Sequence, residues 1–223
     1  MKKILFFILG FVLLIGLAIW SPWDHVATSQ LKTSVDDYQV GSLIFTSLAG
    51  EVEVFIDGES QGVAKIGSEP LKVNAVPKGT RKVKLQRKTE ALGFYDVIEK
   101  EVVFQEGIGV VMAYEVGPTK ETSMGYTLFA TTIPEQVTTN QNADLTISTN
   151  VEGVDISVDD EVVGKTPINT QKILTTNNHQ MTFSKDGYLP LEFELFPNDQ
   201  NQRSKFSGAN VTVIVDLYKI PLS

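Results

Sequence analysis

The chain of 223 residues is long enough for one or two domains, and it contains no cysteine, which excludes disulfides, thiolate catalysis, thiolate metal ligands and a lipidated cysteine. It carries 19 Lys and Arg residues against 27 Asp and Glu residues, a net charge of −8 that disfavours nucleic acid and anionic membrane surfaces as partners. An apolar fraction of 42% with 21% charged residues is typical of folded globular proteins.

The chain begins with a segment typical of membrane proteins. Lys2 and Lys3 precede the uncharged residues 4–20, and positive charge before an apolar run predicts that the amino end stays in the cytoplasm. As a helix this run is about 25 Å long, near the lower limit for crossing a bilayer. We therefore predict a single-pass transmembrane helix within residues 1–22, which contacts the lipid bilayer and places the remaining chain outside the cytoplasm.

Two tryptophans bear on whether this segment is an anchor or a cleaved signal peptide. Trp20 and Trp23 are typical of membrane interfaces, and bulky residues here disfavour a peptidase that requires small ones. A retained signal anchor is the favoured interpretation, and cleavage near Val26 and Ala27, giving a secreted protein, is the alternative. Residues 23–40 are polar and lack periodicity, so they predict a tether, with a short helix as the alternative.

One pattern then occurs twice, at an offset of 102 residues. Residues 52–62 read VEVFIDGESQG and residues 154–164 read VDISVDDEVVG; alternating apolar residues before a turn rich in Asp and Gly predict a β-hairpin. Because Asp160 stands where Gly58 stands in the first copy, we expect it to adopt a positive φ. The predicted inward residues are Val52, Val54, Ile56, Val154, Ile156 and Val158, and the predicted turn residues are Asp57, Gly58, Gly62, Asp159, Asp160 and Gly164.

Further runs of alternating apolar residues surround both hairpins. No stretch after residue 40 has helical periodicity, and a repeat at a fixed offset indicates two copies of one small domain. We therefore predict an all-β fold of two tandem small β-sandwich domains, at 41–117 and 143–223, behind the N-terminal transmembrane helix. The additional predicted strands lie within 42–48, 77–88, 97–104 and 110–116, and within 144–149, 181–183, 191–195 and 211–218.

The segment between the copies, residues 118–142, is polar at both ends but not in its middle. Tyr126, Leu128 and Ala130 alternate with other residues and predict one extra strand. We expect this strand to cover the edge of the first domain, where backbone groups would otherwise be unpaired. A position in the groove between the two domains is the alternative.

The order of these motifs resembles that of the PEGA domain of bacterial and archaeal envelope proteins. The second copy carries the pattern in ISVDDEVVGKTPI and KDGYLPLEFEL, and the first copy keeps FIDGESQG and PKGTRKVKL. The first copy departs from the pattern where Thr-Pro becomes Glu69-Pro70 and where Lys-x-Gly-Tyr becomes LGFY. The resemblance implies two small β-sandwiches on an exported or surface protein, with no catalytic residues to carry over.

The histidines and the carboxylates near the hairpin tips are the residues with the most potential for chemistry. His25 and His179 have no serine or carboxylate at motif spacing, so neither nucleophilic catalysis nor zinc binding is expected, and no Gly-rich phosphate loop is present. We predict no enzymatic activity, no cofactor and no metal. Five carboxylates near the hairpin tips offer oxygen ligands for calcium, although residues of this type usually serve the turn itself: Asp57, Glu59, Asp159, Asp160 and Glu161.

Three surface features remain as candidate contacts. A basic run suits either an acidic polymer or protein, or a solvated strand face, and it comprises Arg81, Lys82, Lys84, Arg87 and Lys88. Three aromatic residues near equivalent turns are candidates for contacting a ligand, namely Phe94, Tyr95 and Tyr188. Asn210 begins an Asn-x-Thr glycosylation acceptor pattern.

These features predict a membrane-anchored, extracytoplasmic, non-catalytic module of the prokaryotic cell envelope, which is structural or binds an envelope protein or glycan. Two alternatives stay open. One is an accessory subunit that presents or regulates a separate envelope enzyme, and the other is a secreted glycan-binding protein. Clustered exposed aromatic residues would favour binding, and dispersed ones would favour a spacer.

Overall fold

The computed structural model describes residues 40–89, 93–132 and 141–221. In this part of the chain the fold is all-β, as predicted, and fifteen strands are accompanied by one short helix, α1 (Gln200–Ser204). The strands are β1 (Val40–Ser47), β2 (Glu51–Ile56), β3 (Glu59–Lys65), β4 (Leu71–Pro77), β5 (Gly79–Arg87), β6 (Val97–Phe104), β7 (Gly109–Glu115), β8 (Met124–Thr132), β9 (Asn142–Thr149), β10 (Asp155–Val158), β11 (Glu161–Lys165), β12 (Ile168–Leu174), β13 (Gln180–Ser184), β14 (Leu191–Glu194) and β15 (Asn210–Asp216).

The predicted membrane segment lies outside the described residues, together with the tether up to residue 39 and with Trp20, Trp23 and His25. Within the described ranges, no helix is long and apolar enough to cross a bilayer. The anchor therefore stays a prediction from the sequence.

The strands of the first half recur in the second half in the same order and with the same partners. β2–β3 and β10–β11 are antiparallel hairpins, and β2 and β10 pair on their other edges with β5 and β13. β1 pairs antiparallel with β4 and parallel with β7, as β9 does with β12 and β15. Each half is thus a sandwich in which a four-stranded sheet packs on part of a larger sheet.

β8 joins the two halves into one seven-stranded sheet, in the order β12-β9-β15-β8-β7-β1-β4. It pairs antiparallel with β7 along one edge and antiparallel with β15 along the other. The strand in the middle of residues 118–142 therefore lies between the halves and covers an edge of each.

The side chains of β8 alternate between two hydrophobic cores. Leu128 and Ala130 belong to the core of the second half, whereas Phe129 belongs to the core of the first half. Because successive side chains of a strand point to opposite faces of its sheet, the two four-stranded sheets cover opposite faces of the seven-stranded sheet. One strand is consequently buried on both faces and shared by both cores.

The inward positions predicted for the two hairpins are buried, with one partial exception. Val52, Val54 and Ile56 lie in the first core, and Val154 and Ile156 lie in the second. Val158 is half-buried against the second core because it is the last residue of β10 before the turn. The alternation in the sequence thus identified the buried face of both hairpins.

Three elements of the fold were not predicted. β4 and β12 are the outer strands of the seven-stranded sheet, and an irregularity in the pairing interrupts each of them, so their apolar residues do not alternate cleanly. The five-residue helix α1 is too short to show a helical period. It begins after Asp199, whose side chain accepts a hydrogen bond from the backbone N–H of Gln202 at 3.0 Å.

Candidate functional site at the hairpin tips

Both hairpin tips contain two consecutive residues with positive φ. Asp57 and Gly58 have φ of 50° and 88°, and Asp159 and Asp160 have φ of 50° and 67°. Two positive values in succession define the type I′ turn, whose twist matches that of the flanking strands. The positive φ expected at Asp160 is therefore present, in a residue whose β-carbon makes this conformation unfavourable.

Asp160→Gly should raise the free energy of unfolding by up to about 1 kcal/mol, because glycine adopts this φ without a steric cost. The Asp160 side chain is exposed and makes no hydrogen bond or ion pair with other described residues, so little is lost with it. Urea unfolding measures the change, and Gly58→Ala at the equivalent position should have the opposite sign. A clear loss of stability in Asp160→Gly would show that the carboxylate has a partner.

The first aspartate of each turn fastens the tip to the neighbouring strand. Asp57 accepts a hydrogen bond at Oδ1 from the backbone N–H of Lys82, at 2.9 Å, and its own N–H donates to the Lys82 carbonyl at 2.9 Å. Asp159 makes the same two contacts with Gln180, each at 2.9 Å. These carboxylates therefore satisfy backbone groups of β5 and β13.

The second carboxylate oxygen of each of these aspartates contacts a side chain from the same neighbouring strand or its preceding loop. Arg81 Nη1 donates to Asp57 Oδ2 at 3.2 Å, and His179 Nδ1 lies 2.6 Å from Asp159 Oδ2. The hydrogen bond from His179, with a further one from the backbone of Gln180, lowers the pKa of Asp159 below its usual range. Among the described residues no three His, Cys, Asp or Glu side chains are grouped to hold a metal.

A glycine at a bulge completes each hairpin. Gly62 and Gly164 have φ of 127° and 151°, and each lies next to a shift of register in its hairpin. A β-carbon at Gly62 would lie 3.2 Å from Leu71 Cδ1, and one at Gly164 would lie 3.5 Å from Ile168 Cδ1. Both glycines therefore permit a positive φ that side chains rarely adopt, and Gly62 also permits a close approach of Leu71.

A basic side chain closes the loop before each hairpin. Lys185 Nζ donates to the Glu152 carbonyl at 2.8 Å, and Arg87 Nη1 donates to the Ala49 carbonyl at 2.8 Å. Lys185 is the lysine of the Lys-x-Gly-Tyr motif, which thus has a structural role here. Arg87 is its counterpart in the first half, where the sequence that follows reads LGFY, at residues 92–95, in place of the motif.

The Thr-Pro motif of the second half is also part of this support. Thr166 Oγ1 accepts a hydrogen bond from the backbone N–H of Val154 at 3.1 Å and lies 2.7 Å from Thr149 Oγ1. The peptide bond between Thr166 and Pro167 is cis. Thr166, just after β11, therefore connects the end of β9 with the start of β10.

The predicted basic run consists largely of engaged side chains. In addition to the contacts of Arg81 and Arg87, Lys82 Nζ lies 3.3 Å from Glu99 Oε2, and Lys84 Nζ lies 4.0 Å from the centre of the Phe55 ring. Lys88 is exposed and donates its backbone N–H to the Glu51 carbonyl at 2.9 Å. The run is thus interleaved with acidic and aromatic neighbours on a solvated sheet face.

The three candidate aromatic residues do not form one surface. Phe94 is 61% exposed and contacts Tyr95 edge-to-face, with ring centres 5.2 Å apart, while Arg87 lies over Tyr95 at 5.3 Å. Tyr188, in the other half, is partly buried against the second core and forms a backbone bridge to Lys219. Of the three, only Phe94 is exposed, next to a half-buried Tyr95, so they do not form a cluster.

Two charged residues missed by the sequence analysis connect the halves. Lys100 of β6 and Asp216 of β15 form an ion pair at 2.6 Å, with side chains only 18% and 15% exposed. Lys100 also lies 5.9 Å from the centre of the buried Tyr114 ring. Burial, reinforced by the charge of Asp216, raises the pKa of Tyr114 well above its usual value. In the sequence, Lys100 and Asp216 each have the pattern of an ordinary solvent-facing charge on a strand, so neither indicates the ion pair.

Asn210, the glycosylation acceptor candidate, is exposed at the start of β15. Its Nδ2 donates to Thr132 Oγ1 at 2.7 Å, so the side chain takes part in the contact between β15 and β8. The amide is therefore already engaged with the neighbouring strand.

Comparison with known proteins found a family model and several solved structures that are similar to this chain. Residues 142–213 match the PEGA domain family model, and no curated protein matches the chain. Among solved structures, the Bacillus anthracis TIE protein is similar at a TM-score of 0.28 and 16% sequence identity, over 81% of this chain and 34% of the other. This chain thus spans about a third of the length of that protein.

Proposed function

We propose that this protein is a membrane-anchored, extracytoplasmic, non-catalytic structural module of the prokaryotic cell envelope, built from two tandem PEGA-like copies. The observation that carries the proposal is the PEGA match at residues 142–213 behind an apolar segment with a basic flank. The anchor holds the block at the bilayer with its N-terminus in the cytoplasm.

The first half contains the same stabilising contacts as the half that matches the PEGA model. This likeness supports the proposal that the first half is a second PEGA-like copy. Its seven strands have the same partners, and its hairpin tip is fastened through Asp57 as the matched tip is through Asp159. Gly62 and Arg87 correspond to Gly164 and Lys185 in their roles. On this proposal the first copy has diverged in its motifs and kept its supporting contacts.

The continuous sheet supports a structural role more directly than a binding role. β8 pairs with both halves and is buried on both faces, so the two copies form one block rather than two beads on a flexible string. A block of this kind suits a spacer that holds a partner at a set distance from the bilayer.

Fractionation of the full-length chain tests this function. We expect it to sediment with membranes, to be digested by protease added outside the cytoplasmic membrane, and to retain residue 1 by mass spectrometry. A soluble exported protein beginning near Thr28 would establish the secreted alternative instead. A protein protected inside the cytoplasm would refute both.

A second candidate function, binding of an envelope glycan or protein, is favoured by the exposed ring of Phe94 beside Tyr95. Aromatic side chains are enriched at such contacts. Cell walls of the source organism should retain the wild type and should retain Phe94→Ala at least several-fold less, while Leu189→Ala, also exposed, serves as control. Equal retention of all three would remove this candidate.

A further inference from the structure

A groove lies on the face of β1 and β4 that is opposite the first core. Leu43 and Phe45 point into that core, so Ile44, between them, points to the opposite face, where it is half-buried. The other wall of the groove includes Gln202 of α1 and the nearby Phe206. The volume of the groove is about 540 Å³, within the range of about 300–1,000 Å³ for small-molecule sites.

Most of the side chains that line the groove are apolar. They come from β1, β7, the turn between β6 and β7, and the segment around α1, and they include Ile44, Val111 and Phe206. A β-carbon at Gly109 would lie 3.1 Å from Ser42 Oγ, so a side chain at this position would narrow the groove. The groove can therefore bury an apolar chain, and burial of apolar surface favours binding in sites of this kind.

The charged groups of the groove are two lysines. Lys205 Nζ, just after α1, donates to the Gly107 carbonyl at 3.0 Å, and an ammonium has three donors, so two stay available. Lys72, on the outer strand β4, is exposed, and its ammonium makes no hydrogen bond or ion pair with another described residue. None of the described residues that line the groove is acidic, although the chain has 27 Asp and Glu residues against 19 Lys and Arg residues. The groove is thus a cationic site on an acidic protein.

We propose that this groove binds a single-chain amphiphile with an anionic head group, of the fatty-acid class. The apolar chain packs on Ile44, Val111 and Phe206, and the carboxylate accepts charge-assisted hydrogen bonds from Lys72 and Lys205. The apolar lining and the positive charge together match the two parts of such a molecule. Neither contact depends on the membrane anchor, so the site is independent of the proposed function.

An acidic peptide is another occupant that the lysines would attract. A peptide that binds as an added strand needs a regular sheet edge for its backbone hydrogen bonds, and β4 is irregular where it borders the groove. The pairing of β4 with β1 shifts between Gly41 and Leu43, and Ala75 has a positive φ of 60°. The irregular edge therefore favours the amphiphile, which needs no backbone partner.

Photocrosslinking of the full chain tests the site. The chain is held in discs of phosphatidylcholine and exposed to a diazirine analogue of dodecanoate, and the labelled peptides are identified by mass spectrometry. The label should concentrate on peptides that contain residues 40–44, 107–111 or 202–206. Excess dodecanoate should remove this label, and dodecanol, which has the same chain without a charge, should compete at least about tenfold less well. Label without preference for these peptides would overturn the proposal.

Substitution of the lysines separates binding in the groove from general contact with lipid. Lys72 and Lys205 are exposed, so Lys72→Met combined with Lys205→Met should leave the fold intact, as circular dichroism can check, and should lower the groove label about tenfold or more. Lys172→Met, on the other outer strand, is the matched control and should keep the label. Unchanged label in the double variant would overturn the proposal. Loss of the label in discs of phosphatidylglycerol, or competition by polyglutamate but not by dodecanoate, would also overturn it, in favour of a bilayer lipid or an acidic peptide respectively.

Discussion

Leu128→Ala should lower the free energy of unfolding by about 2–5 kcal/mol, and Phe129→Ala should lower it by about 3–5 kcal/mol. These neighbours in β8 are buried in different cores, Leu128 in the second and Phe129 in the first. Because one strand serves both cores and both sheet edges, we expect each variant to destabilise both halves together. Urea unfolding followed by circular dichroism should show one transition, shifted in both variants.

Hydrogen exchange resolved by peptide mass spectrometry distinguishes this outcome from independent halves. Faster exchange should spread over β1–β7 and β9–β15 in both variants. Leu174→Ala, at an exposed position at the end of β12, is the control and should change stability by no more than about 0.5 kcal/mol. If each variant accelerated exchange in one half alone, the halves would be unfolding separately and the shared strand would not couple them.

Lys100→Met should destabilise the protein by about 2–3 kcal/mol, somewhat less than the cost of breaking a fully buried pair. The substitution keeps the length of the side chain but leaves Asp216 as an unpaired charge at the contact between β6 and β15. Denaturant unfolding at neutral pH measures the loss. Adding Asp216→Asn should restore part of it, because the charge left without a partner is then removed.

An exposed ion pair provides the matched comparison. Lys165 and Asp155 lie 2.7 Å apart, but their side chains are 63% and 46% exposed. Lys165→Met should therefore cost no more than about 1 kcal/mol, since solvent screens the pair. Equal losses of stability in Lys100→Met and Lys165→Met would mean that burial between the halves does not increase the contribution of the Lys100–Asp216 ion pair to stability.

The sequence predicted the hairpins well because their physics is local. Val52 and Val54 alternate with Glu53 and Phe55, and the two residues of each turn are adjacent, so the buried face and the sign of φ at Asp160 followed from short stretches. Asp57 and Asp159 lie in the turns themselves, each with a φ of 50°. Their bonds to the next strand could not be read, because strand neighbours distant in sequence have no local signal.

The burial of β8 on both faces could not be predicted from the sequence. Tyr126, Leu128 and Ala130 stood out as one apolar face, but the residues between them include Phe129, which is equally buried on the other face. Alternation identifies a strand buried on one face, and a strand buried on both faces reads instead as a run without a clear period. The ion pair of Lys100 with Asp216 has no local signal either, because it joins distant parts of the chain.

The direction of the strands in the large sheet determines how the protein bears tension. β1 runs parallel to β7, and β8 runs antiparallel to both β7 and β15, so β1 and β15 point the same way. Val40, where β1 begins, and Asp216, where β15 ends, thus lie at opposite ends of the sheet. A force that draws them apart acts along the strands and across the hydrogen bonds, which lie between neighbouring strands. The three ladders from β1 to β15 then yield only if many bonds break at once, so the block resists stretching by shear rather than opening one bond at a time.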